Sequence, residues 1–399
     1  MAKSAQMRAS GGRMRVLRIA HASLTPALRS RERALVREYS DIDLEVVTTS
    51  RWREAEVDVE AVGDDLFPVI KARPCFSRHI QLFAYEPRPI IAALQRHRPD
   101  LIELNHEPYS IACAEVLTLC SWYAPQAPIV MQTCQNIFHR YPPPFNWLER
   151  RALRRIAAAH VCSETVREVL QAKGFKKPIA IVPFGVDIEA FSRGQRLSRE
   201  VKATPTIGFV GRMLPGKGLN VLADSLMQLA SEPWNVLLVG DGPERKMFES
   251  KLGAGGLLKR AHFAGAISYE QVPHLYQQMD LLVVPTQTTD RVREQFGRVL
   301  VEAMASGLPV IGSTCGAIPE VISNAGLVVP EGDSMALASA IKRLLLEPAL
   351  RQELVCAGRR RVLQHYSWER VADKMHELFW QVLRNQQTKA VNRDLEFAA

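Results

Sequence analysis

From Arg15 onward the chain alternates short apolar, β-branched runs with longer stretches whose apolar positions recur at helical spacing. Such a switch of period is the pattern of βα units feeding a parallel sheet. In the first half the strand-like runs are VLRIA (16–20), LEVVTT (44–49), LIELN (101–105), PIVMQ (128–132), HVC (160–162) and IAIVP (179–183). Helical stretches lie between them, for instance 28–38, 90–97, 111–121 and 148–158. The second half repeats the scheme with TIGFVG (206–211), NVLLVGDG (235–242), HFAGA (262–266), DLLVVP (280–285), LPVIGS (308–313) and GLVVP (326–330). Between the halves, PFGVDIEAFSRGQRLSREVKATP is dense in turn formers and charge, which places a linker near residues 185–205. The pattern therefore predicts an α/β chain of two doubly wound, Rossmann-like domains facing each other across a cleft, residues 15–190 and 200–366, after an extension at 1–14.

Composition narrows the class without changing this picture. At 399 residues the chain exceeds what one core spans, and no run approaches the roughly 20 apolar residues that cross a bilayer. The polar, basic start does not read as a secretory signal, and seven scattered cysteines without a CxxC spacing argue against both a disulfide framework and a zinc site. A cytoplasmic setting is the expectation. Net charge is +9, and residues 1–200 hold most of the excess, with 29 Lys and Arg against 22 Asp and Glu. Arg73, Arg78 and Arg88 around the apolar IQLFAY, together with RRALRR (150–155), read either as a generally solvated basic surface or as a face for peripheral contact with the inner side of an anionic membrane. No nucleic-acid partner is expected.

In open parallel sheets ligands bind outside the carboxyl ends of the strands, so chemistry belongs in the loops that follow them. Four stretches qualify. GFVGRMLPGKGLNVLADSL (208–226) ends a strand at Gly211 and starts a helix near Gly218, with Arg212 and Lys217 in the turn. A fork and a point charge beside a helix N-terminus make either a diphosphate clamp or a solvated turn. VGDGPERKMF (239–248) offers Gly240 and Gly242, which let another group approach the backbone closely. LIELNHEPYS (101–110) puts His106 just past a strand end, as a cleft residue or a histidine satisfied by its own backbone surroundings.

The fourth stretch, EQFGRVLVEAMASGLPV (294–310), holds Glu294 and Glu302 eight positions apart. On one continuous helix they would stand about 80° and about 12 Å apart. That rules out a glycosidase pair, whose carboxyls lie roughly 5–10 Å from one another. Glu294 to Gly297 instead reads as a loop before a helix starting near Arg298, and Glu302 sits in an apolar stripe where a carboxylate needs a partner.

Taken together these residues resemble the retaining glycosyltransferases of family 4, which have the GT-B fold. The matching features are GR-x4-KG (211–218), VGDGPE (239–244), EQFGRVLVE (294–302) followed by ASGLPVI, PFGVD…F (183–191) and His106 in NHEPYS. The resemblance implies that Gly211, Arg212 and Lys217 bind the diphosphate of a nucleotide sugar and that Glu302 holds its ribose. It implies that Glu294 holds the donor sugar with backbone groups near Phe296 and Gly297, that Gly240 to Gly242 line the site, and that His106 serves the reacting end. Catalysis would then rest on His106, Glu294, Arg212 and Lys217, moving a hexosyl unit from a UDP- or GDP-sugar to a glycan, lipid-linked or small-molecule acceptor. Cell-envelope or exopolysaccharide synthesis is the implied setting. A non-catalytic nucleotide-sugar-binding protein, or a GT-B phosphorylase or epimerase, is the alternative.

No cofactor or metal is expected, because the only Asp-x-Asp, Asp41-Ile42-Asp43, stands at the wrong end of its strand. The family's last helix, here within 367–385, is expected to cross back to the first domain, with Trp368 and Trp380 as packing anchors. The first loop, HASLTPALRSRERAL (21–35), lacks the family's glycine pair, and Phe184 stands where Asn is common. Arg29, Arg31 and Arg33 in that loop are read either as recruiters of an anionic acceptor or as a solvated helix start.

Overall fold

The computed structural model describes residues 12–54, 57–77, 79–192 and 204–398. The chain divides into two compact units, Met1–Cys162 with Val166–Val182 and Val371–Ala399, and Ser163–Thr165 with Pro183–Arg370.

In the first unit the strands in chain order are β1 (Met14–Ala20), β2 (Ile42–Thr49), β3 (Arg51–Glu54), β4 (Val57–Glu60), β5 (Val69–Ala72), β6 (Pro74–Cys75), β7 (Ala84–Tyr85), β8 (Leu101–Asn105), β9 (Ile129–Thr133), β10 (Ala158–Val161) and β11 (Ile179–Ile181). Seven of them form a parallel sheet in the order β11-β10-β9-β8-β1-β2-β5. The order reverses between β1 and β8, which is where such a sheet opens a crevice. The pairs β3–β4 and β6–β7 are antiparallel ribbons that follow β2 and β5 directly.

The central strands are apolar on both faces because helices cover both, with one exception. Arg18 on β1 stands in register opposite Glu103 on β8, and both are buried. Glu32 lies 2.7 Å from Arg18, Arg31 lies 3.0 Å from Glu103, and His160 lies 2.8 Å from Glu103. The arginines hold both carboxyls below the usual carboxylate range despite burial, so the network stays charged while burial keeps His160 neutral. The Arg18 contacts are close ion pairs whose angles do not make hydrogen bonds.

The second unit contains β12 (Thr206–Val210), β13 (Asn235–Val239), β14 (Ala261–Gly265), β15 (Leu281–Val284), β16 (Val310–Ser313) and β17 (Leu327–Val329), all parallel, in the order β14-β13-β12-β15-β16-β17. Its order reverses between β12 and β15. One core face is built on Trp234 and Phe248, with the Trp234 indole donating to the Leu229 carbonyl at 2.7 Å.

Every predicted strand exists; the short ribbons β3–β4 and β6–β7 were not foreseen, and three further features differ from the sequence reading. Strand β5 was not foreseen: VIKA is a half-exposed edge strand without an apolar run to mark it. The helix expected over 148–158 is Phe145–Arg155, because Pro144 starts it early and Ile156 is already extended. The domain boundary also moves. Val186 donates to the Tyr366 carbonyl and Phe191 packs near Tyr269 and Tyr276, so the chain from Pro183 joins the second unit rather than ending the first at 190. Of the expected linker, residues 193–203 lie outside the described residues, as do residues 1–11 of the extension and Arg78; Met14 already belongs to β1.

The long helix Trp368–Ala398 belongs to the first unit from Val371 onward. There Asp41 accepts a hydrogen bond from the Trp380 indole at 3.2 Å and lies 3.0 Å from His376, which stacks on Tyr39 at 3.7 Å. The Tyr39 hydroxyl donates to Asp373 at 2.6 Å. Asp41 is thus a docking partner for this helix. No helix of the described residues is long and apolar enough to cross a membrane.

Candidate functional site

At the reversal point of the second sheet, the loops after β12 and β15 frame a cavity of about 370 Å³. Gly211, Arg212, Lys217, Thr286, Glu294 and Gly297 line it, with Phe184 and Phe296 at one side, 5.5 Å apart and edge to face. Lys217 donates to the Glu294 carboxylate at 2.7 Å, and the Thr286 hydroxyl donates to the same oxygen at 3.4 Å. Arg212 is exposed and makes no ion pair among the described residues.

The Glu294 segment is held by its backbone. Its carbonyl accepts from Ala317 N at 3.0 Å, and its N–H points at the Cys315 sulfur at 3.5 Å. Gln295 O accepts from the Ser163 hydroxyl at 2.8 Å. The helix Arg298–Ala305 then begins at Gly297, whose φ of 84° no ordinary side chain tolerates well. Its first-turn N–H groups and positive dipole end border the cavity, with a cation on the opposite wall. This is an anion-binding concavity with one carboxylate already paired inside it.

Gly240 and Gly242 are not among the lining residues. A Cβ on Gly240 would stand 2.1 Å from the Gly211 carbonyl oxygen, and one on Gly242 would stand 2.5 Å from that of Met213. What approaches these glycines is the neighbouring loop, which they let close against β13. Gly211, in contrast, has nothing within 4 Å of the place a Cβ would occupy. The open space is therefore on the Gly211 side of this contact.

Glu302 is also absent from the lining. It is 5 % exposed, accepts from the Tyr276 hydroxyl at 3.0 Å and lies 3.9 Å from Arg298. Burial pushes its carboxyl above the usual range, against the pull of Arg298, Tyr276 and Tyr269. The partner its burial requires is thus a phenol. Phe184, Thr286, Cys315 and Ser163 went unassigned in the sequence reading; only Phe184 carried a signal, as a departure from the family pattern.

His106 belongs to the first unit, immediately after β8, and His21 immediately follows β1, so two histidines stand at that sheet's own reversal point. His106 is 3 % exposed. Its Nε2 lies 2.9 Å from the Tyr85 hydroxyl and its ring stacks on His21 at 5.2 Å. Trp52 and Phe83 complete the cage around His21. Burial, then His21 and Arg18, lower the His106 pKa well below the usual value, and burial lowers that of His21 to about 4. Both rings are neutral near pH 7, and the Nδ1 atom of each is buried without a hydrogen-bond partner.

The arginines of the first loop are committed internally. Arg29 is fully buried and donates to the carbonyls of Val62 and Gly63 at 3.2 and 2.9 Å. Arg31 donates to Gln132, Glu32 and Glu103, and Arg33 pairs with Asp64 and Asp65. The reading of these side chains as anion recruiters or as a solvated helix start is corrected accordingly, since all their partners named here except Glu32 lie too far along the chain for a local pattern to reveal them.

Two family profiles match the chain, one described as Glycosyltransferase Family 4 over residues 32–190 and one as Glycosyl transferases group 1 over residues 195–361. The chain belongs to glycosyltransferase family 4. Among similar curated proteins, the 2-deoxystreptamine glucosyltransferase of Streptomyces kanamyceticus is 32% identical over 246 residues, 58% of this chain and 60% of that protein. The phosphatidyl-myo-inositol mannosyltransferase of Mycobacterium leprae is 31% identical over 238 residues, 58% of this chain and 60% of that protein. The match thus spans about 60% of the length of these relatives. Among solved structures, Anabaena HepE in complex with UDP aligns with a TM-score of 0.71 at 19% identity, covering 92% of this chain and 100% of that one. Sucrose-phosphate synthase of Thermosynechococcus elongatus aligns with a TM-score of 0.67 at 21% identity, covering 94% and 100%. These likenesses show that this family-4 chain has the GT-B fold, built from two Rossmann-like domains.

Proposed function

We propose that the chain is a retaining, metal-independent hexosyltransferase that takes its sugar from a UDP- or GDP-sugar. The acceptor in this reading is a glycan, a lipid-linked intermediate or a small molecule, in cell-envelope or exopolysaccharide synthesis. The observation that carries the reading is the second-unit cavity, where Arg212, Lys217 and a helix N-terminus converge on one space containing Glu294. Relatives named as glucosyl- and mannosyltransferases, one of them GDP-mannose-dependent, support the donor class.

Departure of the nucleoside diphosphate is the hard step, and cations fixed where its charge grows lower that barrier electrostatically. Arg212 and Lys217 take that role here, while Glu294 exchanges its bond to Lys217 for hydroxyls of the sugar. The acceptor attacks from the face the diphosphate leaves, and the leaving phosphate takes the acceptor's proton, so configuration is retained. In this reading His106 keeps, as a neutral imidazole, the role at the reacting end that the family resemblance implies, and no cofactor takes part. The helix Phe145–Arg155 exposes Trp147, Arg150, Arg151 and Arg154 at positions i, i+3, i+4 and i+7, which supports peripheral contact with an anionic membrane.

A second reading, a nucleotide-sugar-binding protein without turnover, draws on the burial of both His106 nitrogens. Incubation with UDP- and GDP-sugars in EDTA, with and without candidate acceptors, tests the choice through release of nucleoside diphosphate and the anomeric configuration of the product. Release that depends on acceptor, with retained configuration, supports the transferase. Tight binding with no release across the panel supports the binding protein.

A further inference from the structure

A second cavity, of about 510 Å³, lies in the first unit and is lined by Arg51, Arg73, Pro74, Cys75 and Phe76. Its position follows from the sheet order. Arg51 comes two residues after the end of β2 and Arg73 directly after β5, so both stand at the carboxyl ends of parallel strands, on the β2–β5 side of His21 and His106. This is the ligand side of such a sheet.

Among the described residues the lining contains two arginines and no carboxylate. Both arginines are exposed, and neither guanidinium makes an ion pair or hydrogen bond among the described residues. Glu60 stands across from Arg51 in the β3–β4 register without pairing with it. Arg51 and Arg73 differ in this from Arg15, Arg18, Arg29, Arg31 and Arg33 of the same unit, which all have acidic partners. Two unpaired forks on one cavity form a receptor for a dianion.

Phe76 adds an apolar element. Its ring is 93 % exposed and its backbone holds φ at 67°, a left-handed conformation that a bulky residue adopts only under constraint. Neither burial nor a turn-forming side chain accounts for a phenylalanine there. Ile80 and Leu82 are exposed on the same β6–β7 loop. The loop is also tied to His106: Pro74 pairs with Tyr85 across the ribbon, and the Tyr85 hydroxyl meets His106 Nε2. Trp52, next to Arg51, packs against Phe83 at a tilt and meets His21 edge to face in the same cage.

We infer that this cavity is the acceptor's phosphate subsite: Arg51 and Arg73 grip a phosphate, and an apolar carrier attached to it lies along the Phe76 ring. The inference rests on the reading of the chain as a sugar transferase and names the acceptor class as a phosphate on an apolar chain. It gives Phe76 a role that offsets its backbone strain.

The test is calorimetric titration of the full chain, first with UDP and then, saturated with UDP, with geranyl phosphate, geraniol and inorganic phosphate. Geranyl phosphate is expected to bind more tightly than either of the others and to weaken with added salt. Its Kd should rise roughly tenfold or more in Arg51→Ala and in Arg73→Ala, with only partial recovery in the Lys variants, while the UDP Kd stays unchanged. Phe76→Gly should raise the melting temperature by relieving the positive φ, yet reduce geranyl phosphate binding to the level of inorganic phosphate.

Equal binding of geraniol, or an unchanged Kd in both alanine variants, overturns the inference. Equal binding of inorganic and geranyl phosphate overturns its apolar half and assigns a phosphate on a soluble carrier. Absence of UDP binding together with intact arginine dependence overturns the donor reading and leaves the phosphate subsite standing.

Discussion

Replacing Gly240 by alanine separates two roles for a glycine that look identical in a sequence, making room for a ligand and making room for another loop. Gly240 has φ of 119°, which costs an L-residue roughly 1–3 kcal/mol. The new Cβ would stand 2.1 Å from the Gly211 carbonyl oxygen, where about 3 Å is the practical minimum, so the two loops must part by about 1 Å. Overpacking of that kind adds roughly 1–3 kcal/mol. At about 2–4 °C per kcal/mol for a domain of this size, the expected drop in melting temperature is roughly 4 °C or more. Gly211→Ala supplies the contrast: its φ of 148° carries a strain cost, but its Cβ points into open space beside the cavity. Differential scanning fluorimetry with a UDP titration reads both effects. Gly240→Ala is expected to lose stability first, and Gly211→Ala to lose UDP affinity with the smaller drop in melting temperature. A Gly240→Ala protein that melts like the wild type but no longer binds UDP would refute the loop-packing account.

Acid should weaken the first unit selectively. His21 is held neutral with a pKa lowered to about 4 against an ordinary 6.5, so the unfolded chain binds the proton more readily and stability falls as pH drops below about 6.5, levelling off near 4. Between pH 7 and 5 this amounts to about 2 kcal/mol, and His106 and His160 shift in the same direction. Urea unfolding of the first unit at the two pH values should show this loss, reduced by about 2 kcal/mol in His21→Phe; an identical loss in that variant contradicts the assignment. Asp41→Ala removes the acceptor of Trp380 and His376, and is expected to cost about 1–3 kcal/mol and expose the helix after Val371 to proteolysis. Unchanged proteolysis there would show that apolar contacts alone hold the helix. Lys217→Met leaves Glu294 without its cation in a half-closed cavity, so the Lys217→Met/Glu294→Gln double variant should recover part of the lost melting temperature; no recovery would mean the pair carries no coupling.

The sheet-forming runs were legible because continuous apolar strands between amphipathic stretches are a local signal, and β5 was not because VIKA is a half-exposed edge. Lys217 and Glu294 could be placed in loops after strand ends, where they line one cavity. Their mutual ion pair could not, since it joins positions 77 apart. The need for a partner at Glu302 was readable from its apolar neighbours, but its identity, Tyr276, depends on how the helix docks. Arg29, Arg31 and Arg33 illustrate the same limit: a run of charge looks solvated until the fold brings Asp64, Glu103 and Gln132 to it. Local spacing reports which element a residue sits on, while its neutralisation is decided by tertiary contacts.

In the proposed reaction the cavity around Arg212, Lys217 and Glu294 binds the diphosphate of the donor. Calorimetric titration of UDP and GDP into the wild type, Arg212→Ala and Lys217→Ala tests it without knowledge of sugar or acceptor. Each charge-assisted contact is worth about 1.5–3 kcal/mol, so each variant should bind the preferred nucleotide roughly 10–150-fold more weakly with its fold intact. Wild-type affinity in both variants would contradict the account.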